Sequence, residues 1–242
     1  MTIRIGTSGW SYDHWSDVLY PAGTPPAKRL ALYVAEFDTV ELNASFYRWP
    51  TDATFEGWRR RVPPGFAMTM KAHRGLTHFR RLSSPEPWME RFTRCWATLG
   101  DRSGVLLVQL HPEQQRDDAR LEHFLKLLPE TVRVAVELRH PSWDDPAVYE
   151  LLHRHRAAYV VMSGAGLACI PRATTDLAYA RMHGPDSEQL YVGSYGAAEL
   201  TKWAERIAEW DAEHRDVYVY FNNDGAGYAV QNARTLKRLL GL

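Results

Sequence analysis

The sequence predicts an α/β fold, a single TIM-type (β/α)8 barrel of parallel strands over residues 1–242, on three observations. Short apolar runs rich in β-branched and aromatic residues alternate with stretches whose apolar residues recur at helical spacing. Six of those runs pass, at their carboxyl side, straight into charged or amide residues, which is where a barrel keeps its chemistry. The chain of 242 residues also matches the roughly 250 typical of a minimal barrel.

Ile3 to Gly6 reads as the first strand, and Thr7-Ser8-Gly9-Trp10 as a turn whose backbone N–H groups could cradle an anion. After Pro25-Pro26, Ala27, Leu30, Ala31, Val34 and Phe37 stripe a helix; Thr39 to Leu42 is the second strand, with Asn43 to Pro50 as its exit loop. Phe55, Trp58 and Val62 mark a helix that stops at Pro63-Pro64-Gly65, before a third strand at Phe66 to Lys71. The loop from Ala72 to Ser83 is long and basic, with His73, Arg74, His78, Arg80 and Arg81 and no acid to balance them. Trp88, Phe92, Cys95 and Leu99 mark the next helix, and Val105 to Gln109 the fourth strand. Leu121, Phe124, Leu125 and Leu128 stripe a helix ahead of Val134 to Val136, a fifth strand that ends abruptly in Glu137, Arg139 and His140. Val148, Leu151 and Leu152 mark a helix ahead of a sixth strand at Tyr159 to Met162. Gly164 to Thr175 is the least legible stretch. Leu177 to His183 is the seventh strand, Leu200, Trp203, Ile207 and Trp210 share one helix face, Val217 to Phe221 is the eighth strand, and Ala229, Ala233, Leu236 and Leu240 close the chain as a helix. A doubly wound open sheet is the structural alternative, because periodicity cannot show whether the eighth strand pairs with the first.

Composition narrows the function. Hydrophobic residues are 45% and charged residues 24%, an ordinary globular balance, and 29 basic residues equal 29 acidic ones. A net charge of zero gives no overall electrostatic case for nucleic acid or an anionic membrane. No window approaches the roughly 20 apolar residues that span a bilayer. Cys95 and Cys169 lack metal-ligand spacing and read as reduced core thiols, which with the absence of an export signal implies a cytoplasmic protein.

Five ordered motifs are recognisable: VELNASFYRWP, TMKAHRGLTHFRRL, VAVELRHPSW, YARMHG and YFNNDGAGYAVQNA. Together with Gly6-Thr7-Ser8-Gly9-Trp10 they resemble the YecE-like family, known as domain of unknown function 72, from the first strand to the last helix. The resemblance implies a single (β/α) barrel and little chemistry, since that family has no settled activity. Its barrel is similar to those of sugar isomerases and endonuclease IV-type repair enzymes, an analogy of fold that does not carry function.

Alternation along a strand puts residues two apart on one face. Glu41 with Asn43, Thr69 with Lys71, Gln109 with His111, Glu137 with Arg139, and Arg181 with His183 are therefore expected to face the barrel axis. Glu137 is the candidate general base, His183 the acid, and Lys71 the group that polarises a carbonyl or neutralises an oxyanion; Glu41 is the second carboxylate of the catalytic set. Arg139 and Arg181 suit a phosphate or carboxylate held in forked geometry, with Asn43, Gln109, Asn223, Tyr47 and Trp143 completing the substrate contacts. The expectation is an enzyme acting on a small anionic molecule by acid-base chemistry that needs neither metal nor cofactor; hydrolysis, isomerisation and elimination all fit.

Rival readings use the same residues. Glu137 with Arg139 or Arg181, and Glu41 with Lys71, could be ion pairs that only fill the top of a barrel, although burial of that kind contributes little net stability. Lys71 could form a Schiff base, and Glu41 with Glu137 could be a glycosidase pair, which needs carboxyls roughly 5 to 9.5 Å apart. A metal could use Glu41, Glu137, His183, His111 and Asp224, against the repulsion of three nearby cations. A nucleic-acid-binding or processing barrel, metal-dependent and endonuclease IV-like, would use the Arg74 to Arg81 loop with Phe79 and the loop aromatics Trp10, Tyr47, Trp49 and Trp143.

Overall fold

The computed structural model describes residues 2–242. Eight parallel strands interleaved with helices make the fold a TIM-type (β/α)8 barrel. The strands are β1 (Ile3–Thr7), β2 (Thr39–Leu42), β3 (Ala67–Lys71), β4 (Ser103–Gln109), β5 (Val134–Glu137), β6 (Ala157–Ser163), β7 (Leu177–Met182) and β8 (Asp216–Phe221). The helices are α1 (Pro26–Val34), α2 (Ala44–Tyr47), α3 (Asp52–Arg61), α4 (Glu86–Leu99), α5 (Asp118–Leu127), α6 (Pro146–Arg154), α7 (Ala197–Ala212) and α8 (Tyr228–Leu239). The chain divides into two compact units, residues 1–41 with 161–242, and residues 42–160.

In the first unit, β7 pairs with β8 and β8 with β1, Leu177 facing Asp216 and Ile3 facing Val217. Past the end of β1, Ser8 bridges Glu41 of β2 in parallel. The last strand thus pairs with the first, and the first lies beside the second: the succession of a closed barrel, which a doubly wound open sheet lacks. Tyr33 of α1 fastens this closure, its hydroxyl accepting the Thr7 N–H at 3.0 Å and donating to the Thr39 carbonyl at 3.0 Å. Gly6 is required there, because a Cβ would stand 2.4 Å from the Thr39 carbonyl oxygen.

In the second unit, β3, β4, β5 and β6 pair in chain order. A bulge puts one extra residue into β4 between the pairs Met68–Ser103 and Met70–Leu106. Gly104 makes room for it, since a Cβ would meet Thr69 Oγ1 at 2.7 Å, and the Val105 N–H displaced from the ladder donates to that same hydroxyl at 3.2 Å. Beyond the bulge the register recovers, with Lys71 beside Leu107 and Gln109 beside Glu137. Three helices begin on side-chain caps: Thr51 accepts from Thr54 N, Asp117 from Arg120 N and Asp145 from Ala147 N.

The connection from β6 to β7, residues 164–176, which the sequence left least legible, contains no helix; Gly164, Gly166 and Pro171 fall too close together for one to propagate. Two expectations need correction. The long basic loop is partly ordered as a π-helical turn, Gly75–Phe79, and Arg81 finds an acid in Glu113 at 3.6 Å. Cys95 is buried, its thiol pKa raised by that burial, but Cys169 is exposed and fills no core. Among the described residues no helix is long and apolar enough to cross a membrane.

Candidate functional site

In residues 42–160, β5 delivers the Glu137 carboxylate fully buried. Gln109 Nε2, from the adjoining register position of β4, donates to its Oε1 at 2.7 Å, and Arg139 Nε donates to the same oxygen at 2.6 Å. The second bond is charge-assisted and short, Arg139 lying two residues beyond the end of β5. Lys71 ends β3 nearly buried, with Nζ 4.3 Å from the centre of the Phe46 ring, a cation–π contact. The turn that carries Phe46 is tied to the strand by Ser45, whose hydroxyl reaches the carbonyls of Leu42 and Lys71, each at 2.7 Å.

His78, which the sequence offered only as one more loop cation, belongs to this group. The π-helical turn sets its ring edge-on to Phe46 at 4.8 Å and to His111 at 5.3 Å, with Thr77 Oγ1 3.0 Å from Nδ1. Burial, then the charges of Lys71, His111 and Arg139, push its pKa down to about 4 against the opposing pull of Glu137, so the imidazole is neutral at pH 7. Turns of this geometry are rare and concentrate at functional positions. His73 anchors it: Nδ1 accepts the Gly75 N–H at 2.9 Å, which leaves the proton on Nε2 to donate to the Tyr47 carbonyl at 3.1 Å. The His73 ring also stacks on Trp88 at 4.9 Å, and burial lowers its pKa.

In residues 1–41 with 161–242, Glu41 is buried and accepts from Ser8 Oγ at 2.5 Å, Tyr179 OH at 2.6 Å, and Arg181 Nε and Nη2 at 2.9 and 2.7 Å. These donors fill the roughly four lone-pair sites of a carboxylate. Glu41 therefore holds the equally buried Arg181, and its geometry does not suit a proton acceptor. Burial and the neighbouring carboxylate raise the Tyr179 pKa well above its ordinary value, keeping the phenol a donor. Arg181 Nη1 stands 3.4 Å from His183 Nε2. A guanidinium only donates, so Nε2 accepts from it, while the Asn222 amide nitrogen stands 3.3 Å from Nδ1 on the other side of the ring.

The remaining expected residues sit differently from one another. Asn43 adopts helical backbone angles at the start of α2, so strand alternation ends before it; its Oδ1 is buried without a hydrogen bond. Asn223 is buried behind β8, donating to the Gly193 carbonyl and to Asn232 Oδ1, each at 2.9 Å, which fixes the loop after β7 onto α8. Trp143 is buried, and its indole N–H donates to the Gln114 carbonyl at 2.8 Å, so it ties loops together. Trp49 packs among Phe55, Trp88 and Phe92. Tyr47 is open to solvent. The turn after β1 offers no anion cradle at Ser8 and Gly9, whose N–H groups go to the Phe221 and Glu41 carbonyls. Among the described residues no three His, Cys, Asp or Glu side chains stand together as metal ligands would. The side-chain roles of Ser8, Tyr179 and His78 were not read from the sequence, which placed Ser8 in a turn and His78 in the basic loop; Tyr179 stands two positions before Arg181 on the same strand face.

Comparison with known proteins agrees with this architecture. The family model described as "Protein of unknown function DUF72" matches residues 4–242. The chain is 28% identical to the UPF0759 protein YunF of Bacillus subtilis over 99% of this chain and 95% of that one. A crystal structure of a DUF72 family protein from Thermotoga maritima superimposes with a TM-score of 0.88 at 32% identity, covering 100% of both chains. One from Enterococcus faecalis gives 0.87 at 21% identity, covering 100% of this chain and 96% of that one, a likeness of fold.

Proposed function

The chain belongs to the DUF72 family, and on that premise we propose that it is an enzyme that binds a small phosphate- or carboxylate-bearing molecule at the carboxyl ends of β3, β4 and β5 and transforms it by acid-base chemistry. The observation that carries this reading is the group of buried Lys71 and Glu137 with part-buried Arg139, in which cations outnumber the carboxylate, set beside a neutral imidazole. A barrel layer that served only stability would be better filled by Val or Leu, because desolvation offsets most of what a buried ion pair gains.

In this reading Lys71 and Arg139 hold the anion, Lys71 as a compact point charge and Arg139 in a fixed orientation set by its Nε contact with Glu137. Gln109 positions Glu137, which removes a proton from the substrate. His78, uncharged at neutral pH, can take a proton from a neighbouring group or relay it. Developing negative charge on the substrate would be met by the Lys71 ammonium in a site with little competing water.

Isothermal titration with inorganic phosphate tests the binding half. Wild-type protein should bind it, and Lys71→Met and Arg139→Gln should each weaken binding at least about tenfold, the scale on which a charge-assisted contact operates. Wild-type protein that binds neither phosphate nor a small carboxylate such as malonate would retire the proposal.

A further inference from the structure

We propose that the anion held by Lys71 and Arg139 carries a planar aromatic ring, and that Tyr47, Arg74 and Phe79 form the subsite that stacks it. This deepens the reading above and rests on it. Tyr47 is 63% exposed and Phe79 73%, the two most exposed large hydrophobic side chains among the described residues, and they come from different segments, α2 and the π-helical turn. Arg74 joins them, its guanidinium carbon 5.6 Å from the centre of one ring and 5.4 Å from the other. Two aromatic rings displayed to water around one guanidinium are costly to leave uncovered and present π-faces and a cation together, a surface suited to a flat, electron-rich ring.

The surface leads inward without a break. Tyr47 meets Phe46 edge to face at 5.1 Å, Phe46 meets His78 at 4.8 Å, and the Lys71 ammonium lies 4.3 Å from the centre of Phe46. An apolar aromatic wall therefore runs from solvent to the buried charges, and charge complementarity fixes the ligand's orientation: ring outward, anionic group inward. The wall is also preorganised. His73 takes the Gly75 N–H on one nitrogen and donates to the Tyr47 carbonyl from the other, so α2 and the turn bearing Phe79 are held in register before any ligand arrives. The substrate class this implies is an aryl or heteroaryl phosphate or carboxylate, with nucleoside monophosphates included by the same chemistry.

The experiment compares dissociation constants for phenyl phosphate and methyl phosphate, which share the anionic group and differ in the ring. Wild-type protein should prefer phenyl phosphate by about tenfold, equivalent to about 1.4 kcal/mol. The preference should fall to within about twofold in Tyr47→Ala/Phe79→Ala and persist in Tyr47→Phe, which keeps the ring; both sites are exposed, so an unchanged melting temperature will show that the fold is intact. Equal affinity for the two phosphates in wild type, or a preference that survives the double substitution, would overturn the ring subsite while leaving the anion site standing. Failure of both phosphates to bind would overturn the two readings together.

Discussion

Removing Arg181 offers a quantitative view of what the buried charges do. Arg181→Met takes two of the four donors from Glu41 and leaves a fully buried carboxylate facing only Ser8 and Tyr179. Breaking a buried ion pair from one side costs about 3–5 kcal/mol, because the desolvated partner is stranded. In a chain of this size each kcal/mol moves the melting temperature by about 2–4 °C, so the variant should melt about 6–20 °C lower. Glu41→Leu strands the guanidinium instead and should cost a comparable amount. The double variant Glu41→Leu/Arg181→Met replaces both charges by apolar side chains and should recover about 2–3 kcal/mol relative to the sum of the singles. The assay is urea unfolding followed by far-UV circular dichroism, read as a double-mutant cycle. A loss below about 1 kcal/mol for Arg181→Met, or additivity of the two singles, would refute the picture of Glu41 as a saturated holder of Arg181.

Two further expectations follow from the second unit. The His78 pKa is held down to about 4 from its ordinary 6.5. Between those values the unfolded chain binds a proton at this ring that the folded chain does not, so stability should fall as pH drops from about 6.5 to about 4. The ring is only partly buried, and after solvent screening the effect should be about 1–2 kcal/mol. His78→Gln should flatten that part of the stability profile, and an identical slope in the variant would contradict the assignment. Glu137→Gln removes the negative charge beside the proposed anion while keeping an acceptor for Arg139 Nε, so titration should show inorganic phosphate bound about three- to tenfold more tightly. Weaker binding would argue that Glu137 only shapes the site. Turnover lost in the same variant would mark Glu137 as the base, and turnover preserved would favour a barrel that binds without catalysing.

Much of the fold was legible because a parallel barrel advertises itself in one dimension. Strands covered on both faces read as apolar runs, as β5 does up to Glu137 and β7 up to Arg181, and the change to Glu, Arg or His marks the end where covering helices stop. Burial of Glu41, Gln109, Glu137, Arg181 and His183 follows from those same positions. Pairing was less legible: alternation puts Arg139 on the face of Glu137, but which cation meets Glu41 depends on which strands are neighbours, and a hydrophobic pattern does not encode that. The side-chain donor roles of Ser8 and Tyr179 toward Glu41 were not legible because polarity, not hydrogen-bond geometry, was the signal. His78 was hidden for a different reason, since a π-helical turn has no short-range periodicity to recognise. The β6 to β7 connection stayed illegible because its glycines and proline leave no helical or strand period to read.

The central claim is that the buried charges at the ends of β3 and β5 form an anion site. A crystal soaked with sodium tungstate, an oxyanion of high electron density, tests it most directly. A peak is expected within hydrogen-bonding distance of Lys71 Nζ and the Arg139 guanidinium, absent in Lys71→Met. Tungstate bound only at surface lysines and arginines, with none beside Lys71 and Arg139, would contradict it.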